Sequence, residues 1–259
     1  MELARNEPNE PYVDPELYDI VYSWYDADLA FYVDAARAAE GPVLEAACGT
    51  GRVLLPTLEA GVDIDGFDLE PAMVEHLCAK AARRGFQPRV WVGDMRGFTA
   101  PRRYALVTIP FRAFMHLLTT DEQLRCLGSI RETLRPGGTL VMNLFYPSFA
   151  IITERDSRRV REREFRHPET GAPVVLWDTP RYDRVSQTLR SEREVEFDDE
   201  GGAMRDVRRY SFTLRWTFRF EMELLLRAAG FSRWQVWGGF DRRPLERDTD
   251  EMVWAAWRD

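Results

Sequence analysis

Apolar positions recur with two periods in this chain, and the switch between them divides it. Val43 and Leu44 begin a short buried strand, which Glu45 closes ahead of the small-residue turn Cys48-Gly49-Thr50-Gly51. Val53, Leu54, Leu55 and Leu58 then follow helical spacing up to Gly61. The alternation repeats. A strand over 62–68 precedes a helix with Pro71 near its start and Gly85 past its end. Short strands are expected at 89–92 and 104–109. A capping box at Thr120 and Gln123 opens a helical stripe of Leu124, Leu127, Ile130 and Leu134, and the strand 140–145 follows. Another helix is expected over 28–39. Strands alternating with helices predict an α/β, doubly wound sheet with helices on both faces.

Beyond residue 150 the period falls to two. Tyr210, Phe212, Leu214, Trp216, Phe218 and Phe220 alternate with polar residues, as in a half-buried antiparallel strand. Residues 189–197 are its expected partner, across a turn at Asp198-Asp199-Glu200-Gly201-Gly202. The arginine-rich run 155–166 carries interleaved acids and reads as a solvated face. These patterns predict a small antiparallel β lobe of two or three strands over 151–219, inserted in a main domain of 41–150 and 220–259. A helix over 221–229 and strands near 234–237 and 252–257 complete that domain. Residues 1–40 form an arm and helix, with the aromatic cluster Tyr18, Tyr22, Trp24 and Tyr25.

A strand, a glycine turn and a helix bring backbone close to a nucleotide-like ligand, because the turn has no Cβ in the way and the helix start offers free N–H groups. A dinucleotide fingerprint wants glycine at 47, 49 and 52; here those positions are Ala47, Gly49 and Arg52, which opposes a nicotinamide-dependent oxidoreductase. Asp68, at the end of the second strand, is placed to accept hydrogen bonds from two vicinal ribose hydroxyls. Gly93-Asp94-Met95 follows the third strand.

Four segments together resemble class I S-adenosylmethionine-dependent methyltransferases of the small-molecule type. They are Glu-x-x-x-Gly-x-Gly at 45–51, Gly66-Phe67-Asp68-Leu69-Glu70-Pro71-Ala72-Met73, Gly93-Asp94-Met95 and Leu134-Arg135-Pro136-Gly137-Gly138. The chain has Ala47 where that family often has glycine. The resemblance implies a seven-stranded, mostly parallel Rossmann-like sheet with its last strand antiparallel. It also implies S-adenosylmethionine as methyl donor, with S-adenosylhomocysteine as product. The residues it places around the donor are Tyr18, Tyr22, Glu45, Ala46, Ala47, Cys48, Gly49, Arg52, Asp68, Leu69, Met73, Gly93, Asp94, Met95 and Pro110. Among them Asp94 would face the adenine amine, and the arm's aromatics would cover the bound molecule. Phe111, Arg112, Tyr146 and Arg219 are candidates for the acceptor pocket, which the lobe would roof. His116, just past the fourth strand, is the candidate base, since its ordinary pKa of about 6.5 suits proton transfer; packing among Phe111, Phe114, Met115, Leu117 and Leu118 is the rival role.

Composition narrows the acceptor. The 259 residues carry 35 basic and 43 acidic side chains, a net charge of −8, whereas a nucleic-acid binder usually shows a basic excess. Pro110-Phe111-Arg112 also replaces the Asn/Asp-Pro-Pro-Tyr/Phe pattern of methyltransferases acting on base amines or glutamine. A small-molecule acceptor is therefore expected, with no nucleic-acid and no membrane partner. Three scattered cysteines and three dispersed histidines suggest neither a disulfide framework nor a metal site. A cytoplasmic protein is expected, as no basic-then-apolar leader or long apolar run is present. Two alternatives stand beside this reading, donor binding without catalysis and methylation of a protein or RNA; for the β lobe, the rival to roofing the pocket is a homodimer formed through it.

Overall fold

The structure, a computed structural model, describes residues 10–197 and 206–259. The main sheet begins with β1 (Val43–Ala46), β2 (Ile64–Asp68), β3 (Arg89–Val92), β4 (Tyr104–Ile109) and β5 (Leu134–Phe145). A second sheet follows: β6 (Val160–Arg166), β7 (Pro173–Asp183), β8 (Thr188–Phe197) and β9 (Asp206–Arg215). The chain then returns through β10 (Arg233–Trp237) and β11 (Glu251–Trp257). The seven-stranded sheet runs β10-β11-β5-β4-β1-β2-β3, and β11 is antiparallel to both its neighbours. The expected doubly wound architecture, with the last strand antiparallel, is the one observed.

Helices cover both faces. The arm forms α1 (Glu10–Val13) and α2 (Pro15–Val21), and α3 (Leu29–Ala38) packs beside α4 (Leu54–Glu59). α5 (Pro71–Arg83) packs on β2 and β3, while α6 (Thr120–Thr133) packs on β5 and on α8 (Arg219–Ala228). The short α7 (Phe149–Arg155) leads into the lobe. Fully buried β1 and β4 put the centre of the core under the turn after β1. That central position is why the strand reads as a short apolar run in the sequence.

Local chemistry corrects three expectations. The capping box of α6 is Thr119 with Glu122, because Thr119 is the extended residue: its Oγ1 accepts from the Glu122 N–H, and the Glu122 carboxylate accepts from the Thr119 N–H. Gln123 is instead fully buried, donating to the Leu117 carbonyl and Thr217. The period-two strand ends at Arg215, so Phe218 caps α8 and Phe220, on that helix, is 71% exposed. Among the described residues the lobe has four strands, since most of the charged run 155–166 forms the edge strand β6. The β8–β9 pairing is as expected, though its turn, Asp198 to Gly202, lies outside the described residues.

Tyr210, Phe212, Leu214 and Trp216 belong to the same continuous core as Leu44, Val107 and Met142 of the main sheet. The aromatic face of the lobe is thus packed against the main domain. These aromatics are therefore not an exposed patch.

Candidate active site

Leaving β1, the chain turns through Ala47 and Gly49, both left-handed, with φ of 57° and 52°. For alanine such a φ costs of order 1–2 kcal/mol, which the surrounding structure must hold. The Cys48 N–H donates to the Phe67 carbonyl at 3.0 Å, tying the turn to β2. A Cβ at Gly49 would meet nothing, so the turn opens outward there; one at Gly66 would fall 2.5 Å from Leu54 and 3.1 Å from the Cys48 sulfur. Gly66 is what lets β2 pass under the turn.

Three acids stand at the C-terminal ends of β1, β2 and β3. Glu45 is 2% exposed, and its Oε2 has no hydrogen-bond partner. Burial pushes its carboxyl well above the usual carboxylate range, against the pull of Arg52. Asp68 accepts from the Gly49 N–H at 2.8 Å on one oxygen and the Glu70 N–H at 3.0 Å on the other. Burial raises its carboxyl too, opposed by those backbone bonds. Each oxygen keeps a lone pair. Asp94 is held by Arg96 through contacts of 2.6 to 3.0 Å; burial works against its charge, but the guanidinium outweighs it and the carboxyl sits below its usual range. Leu69, 52% exposed, sets an apolar side chain beside Asp68. Gly93 donates to the Asp68 carbonyl at 2.8 Å, and Met95 is half-buried against the core.

The arm lies over this cleft. Asp19 accepts from Thr50 in the glycine turn at 2.5 Å, and from Lys80 on α5 at 2.6 Å; its second oxygen also meets His76 at 3.0 Å. Tyr18 and Tyr22 pack together at 4.8 Å, and Tyr22 meets Phe111 at 4.9 Å. From the lobe, Arg163 lies over the Trp24 ring at 3.5 Å and Arg193 donates to the Tyr22 hydroxyl at 3.1 Å.

On the acceptor side, Phe111 and Arg112 follow β4 in consecutive left-handed conformations, φ 55° and 63°. Past them a single 3-10 turn (Ala113–His116) presents His116 to β9. The Tyr12 hydroxyl is 2.9 Å from His116 Nε2. Burial pushes the imidazole down to about 4, opposed by a bond from the ring to the Thr213 backbone. That bond leaves Nε2 to accept from Tyr12. The ordinary pKa of 6.5 does not hold at this position.

Several candidates occupy other settings. Both terminal nitrogens of Arg52 are spent on Asp28, at 2.6 and 2.7 Å, and its guanidinium lies over Tyr25 and Phe111. Arg112 forms a two-point pair with Glu251 at 2.9 and 2.6 Å; Glu251 also accepts from Asn143, which accepts from Tyr32. Arg219 pairs with Glu223 along its own helix. Tyr146 meets Phe218 at 6.4 Å. Met73 and Ala46 have no exposed surface, and Cys48 and Pro110 are buried as well. Tyr12, Asp19, Asp28 and Tyr25 are additions from the structure. Of these only Tyr25 carried a sequence signal, in the aromatic cluster.

Residues 43–138 match the family model described as a methyltransferase domain. Over 147 residues the chain is 31% identical to the dTDP-3-amino-3,4,6-trideoxy-alpha-D-glucopyranose N,N-dimethyltransferase of Streptomyces venezuelae, covering 54% of this chain and 60% of the relative. Over 134 residues it is 31% identical to the dTDP-3-amino-3,6-dideoxy-alpha-D-glucopyranose N,N-dimethyltransferase of Streptomyces fradiae, covering 49% of this chain and 51% of the relative. The matches thus span about half of each relative's length, or little more. The solved structure of the CcbJ methyltransferase from Streptomyces caelestis is 27% identical and superposes with a TM-score of 0.72, covering 95% of this chain and 98% of that one. The solved structure of CalS10, an amino pentose methyltransferase from Micromonospora echinaspora with S-adenosylmethionine bound, is 22% identical and superposes with a TM-score of 0.70 over 100% of this chain and 99% of that one. Residues 43–138 are thus similar to a methyltransferase domain, and the chain as a whole shares the fold of the CcbJ methyltransferase structure.

Proposed function

We propose that this protein methylates an amine of a small, polar, sugar-like acceptor, with S-adenosylmethionine as donor. One observation supports the donor half: Glu45, Asp68 and Asp94 stand at the C-terminal ends of the adjacent strands β1, β2 and β3, and the buried Glu45 Oε2 lacks a partner. An unpaired buried carboxylate oxygen is costly unless a ligand completes it. The residues present fit a molecule with an ammonium group, two ribose hydroxyls and an adenine. Glu45 would take the ammonium and Asp68 the two hydroxyls, while Leu69 and Met95 would flank the ring beside Asp94.

When bound, S-adenosylmethionine would supply a methyl group activated by its positively charged sulfur to the acceptor's lone pair. The protein's task is then to orient and to exclude water. Tyr18 and Tyr22, pinned through Asp19 and Arg193, would close the cleft from the arm. An imidazole with a pKa near 4 stays neutral at pH 7 and is a poor base toward an amine. We therefore assign His116 the task of aiming the Tyr12 hydroxyl into the acceptor space, and the amine would arrive as its free base.

The amine preference draws on the two N,N-dimethyltransferase relatives, both acting on dTDP-amino sugars by name. The test incubates purified protein with S-adenosylmethionine and dTDP-3-amino-3,6-dideoxy-α-D-glucopyranose and follows the mass of the product. A product one or two methyl groups heavier is expected. No methylated product, together with no calorimetric binding of S-adenosylhomocysteine, would overturn the reading.

A further inference from the structure

The inner face of the lobe breaks its own pattern. It packs on the main core, and its flanking positions are apolar as that requires: Leu176 faces Val195, and Tyr182 faces Leu189 and Leu214 across the strands. Between them runs a polar row. Asp178 on β7 is paired in register with Arg193 on β8, and Arg193 with Tyr210 on β9. Ser191 lies one position along on the same face and is 1% exposed; Asp178 is 8% and Tyr210 5% exposed. Polar groups at such depth are costly unless they are hydrogen-bonded.

The row satisfies itself only in part. Ser191 donates to Asp178 Oδ1 at 2.6 Å and accepts from Arg193 Nε at 3.2 Å. Asp178 Oδ2 has its nearest cation, Arg193 Nη2, at 3.9 Å, beyond hydrogen-bond reach. The buried Tyr210 hydroxyl stands beside the Arg193 guanidinium and the Tyr22 hydroxyl, yet neither contact has ordinary hydrogen-bond geometry. An apolar row would be cheaper here, so fold stability alone does not account for these groups.

Position supplies the account. Arg193 reaches the Tyr22 hydroxyl of the arm and lies over the Phe212 ring at 5.0 Å. Phe212 stacks with Tyr210, and its centroid is 6.2 Å from that of His116. The row therefore joins the tyrosines over the donor cleft to the Tyr12–His116 pair. A carboxylate oxygen that can accept, a hydroxyl that can do both, a guanidinium that can donate and flanking aromatic faces are a matching set for a carbohydrate. Its hydroxyls donate and accept at once, while its C–H faces lie on rings.

Resting on the amino-sugar reading above, we propose that Asp178, Arg193 and Tyr210 are the specificity-determining row that holds the hydroxyls of the acceptor's sugar ring. The test uses steady-state kinetics with dTDP-3-amino-3,6-dideoxy-α-D-glucopyranose, plus calorimetry of S-adenosylhomocysteine, on wild type, Asp178→Asn and Tyr210→Phe. KM for the sugar rises about ten- to a hundredfold in Asp178→Asn, as for a lost bond to a charged group, and about two- to tenfold in Tyr210→Phe. S-adenosylhomocysteine binding is unchanged in both. The melting temperature of Tyr210→Phe falls little, because the removed hydroxyl makes no contact of ordinary hydrogen-bond geometry. Wild-type KM in both variants would overturn the row's role and leave the amino-sugar reading standing. A melting temperature and S-adenosylhomocysteine affinity that fall together in Tyr210→Phe would make the row structural and overturn the proposal. A wild type that binds S-adenosylhomocysteine but neither binds nor methylates the sugar would sink the amino-sugar reading, and this proposal with it. Should Asp178→Asn fail to fold, Tyr210→Phe decides.

Discussion

Replacing Arg52 with Met separates two roles for a residue that sits directly after the glycine turn. In the structure its guanidinium closes a two-point pair on Asp28, whose side chain is fully buried. Removing one partner of a buried pair typically costs about 3–5 kcal/mol, because the other charge is left without compensation. The contacts over Tyr25 and Phe111, at 5.1 and 4.8 Å, add about 0.5–1 kcal/mol each. Against a total stability of about 5–15 kcal/mol, the loss is a large shift of a urea unfolding curve. The double variant Arg52→Met, Asp28→Leu removes both charges and regains most of that loss, so the two substitutions are strongly non-additive. If Arg52 instead served the donor directly, the single variant would keep its urea midpoint and lose S-adenosylhomocysteine affinity. A loss under about 1 kcal/mol in the single variant, or a double variant equal to the sum of the singles, would refute the pairing argument.

Burial raises the Glu45 carboxyl and an ammonium docked against it lowers it again, so the proton that Glu45 holds in the lower part of the pH range is released when S-adenosylhomocysteine binds there. Calorimetry in buffers of different ionisation heat detects that release in wild type and finds it absent in Glu45→Gln. Asp68→Ala weakens S-adenosylhomocysteine binding about ten- to a hundredfold and, by stranding the Gly49 and Glu70 N–H groups, also lowers the melting temperature; an unchanged dissociation constant would take Asp68 out of the site. The folded value for His116 is depressed, so the unfolded chain takes up that proton first. Its contribution is complete above about pH 6.5 and is lost as pH falls toward about 4, by roughly 3 kcal/mol. Urea unfolding at a series of pH values gives a flatter profile for His116→Gln, and equal slopes would refute the burial. Gly66→Ala forces a methyl group against Leu54 and Cys48 and costs about 1–3 kcal/mol in urea unfolding.

What the sequence disclosed was local. The turn at 47–51 and the acids ending β1, β2 and β3 are legible because backbone freedom, burial and strand ends each leave a mark within a few residues. The β lobe was legible through its period of two. The partners of the arginines were not. Arg52 meets Asp28 from 24 residues away, Arg112 meets Glu251 from 139, and Tyr12 meets His116 from 104. Such pairs are fixed only when helices and strands dock, so Arg52 and Arg112 read as ligand contacts while already engaged within the protein. The polar row is intermediate. Its members occupy ordinary strand positions in the sequence, and only the register of β7, β8 and β9 lines them up.

The order of strands also bears on how the chain is made. β11 lies between β5 and β10, and its Glu251 bonds to Asn143 across 108 residues. The lobe occupies much of that interval. During synthesis, the hairpins of β7, β8 and β9 leave the ribosome well before β11 exists, so they can zip from nearby residues while the main sheet stops at β5. Until β11 inserts, β5 presents an apolar edge that only the last strand can cover. Closing so long an interval is intrinsically slow. Truncation near residue 250 would thus leave a sheet with its lobe formed and its β5 edge open, a template for aggregation.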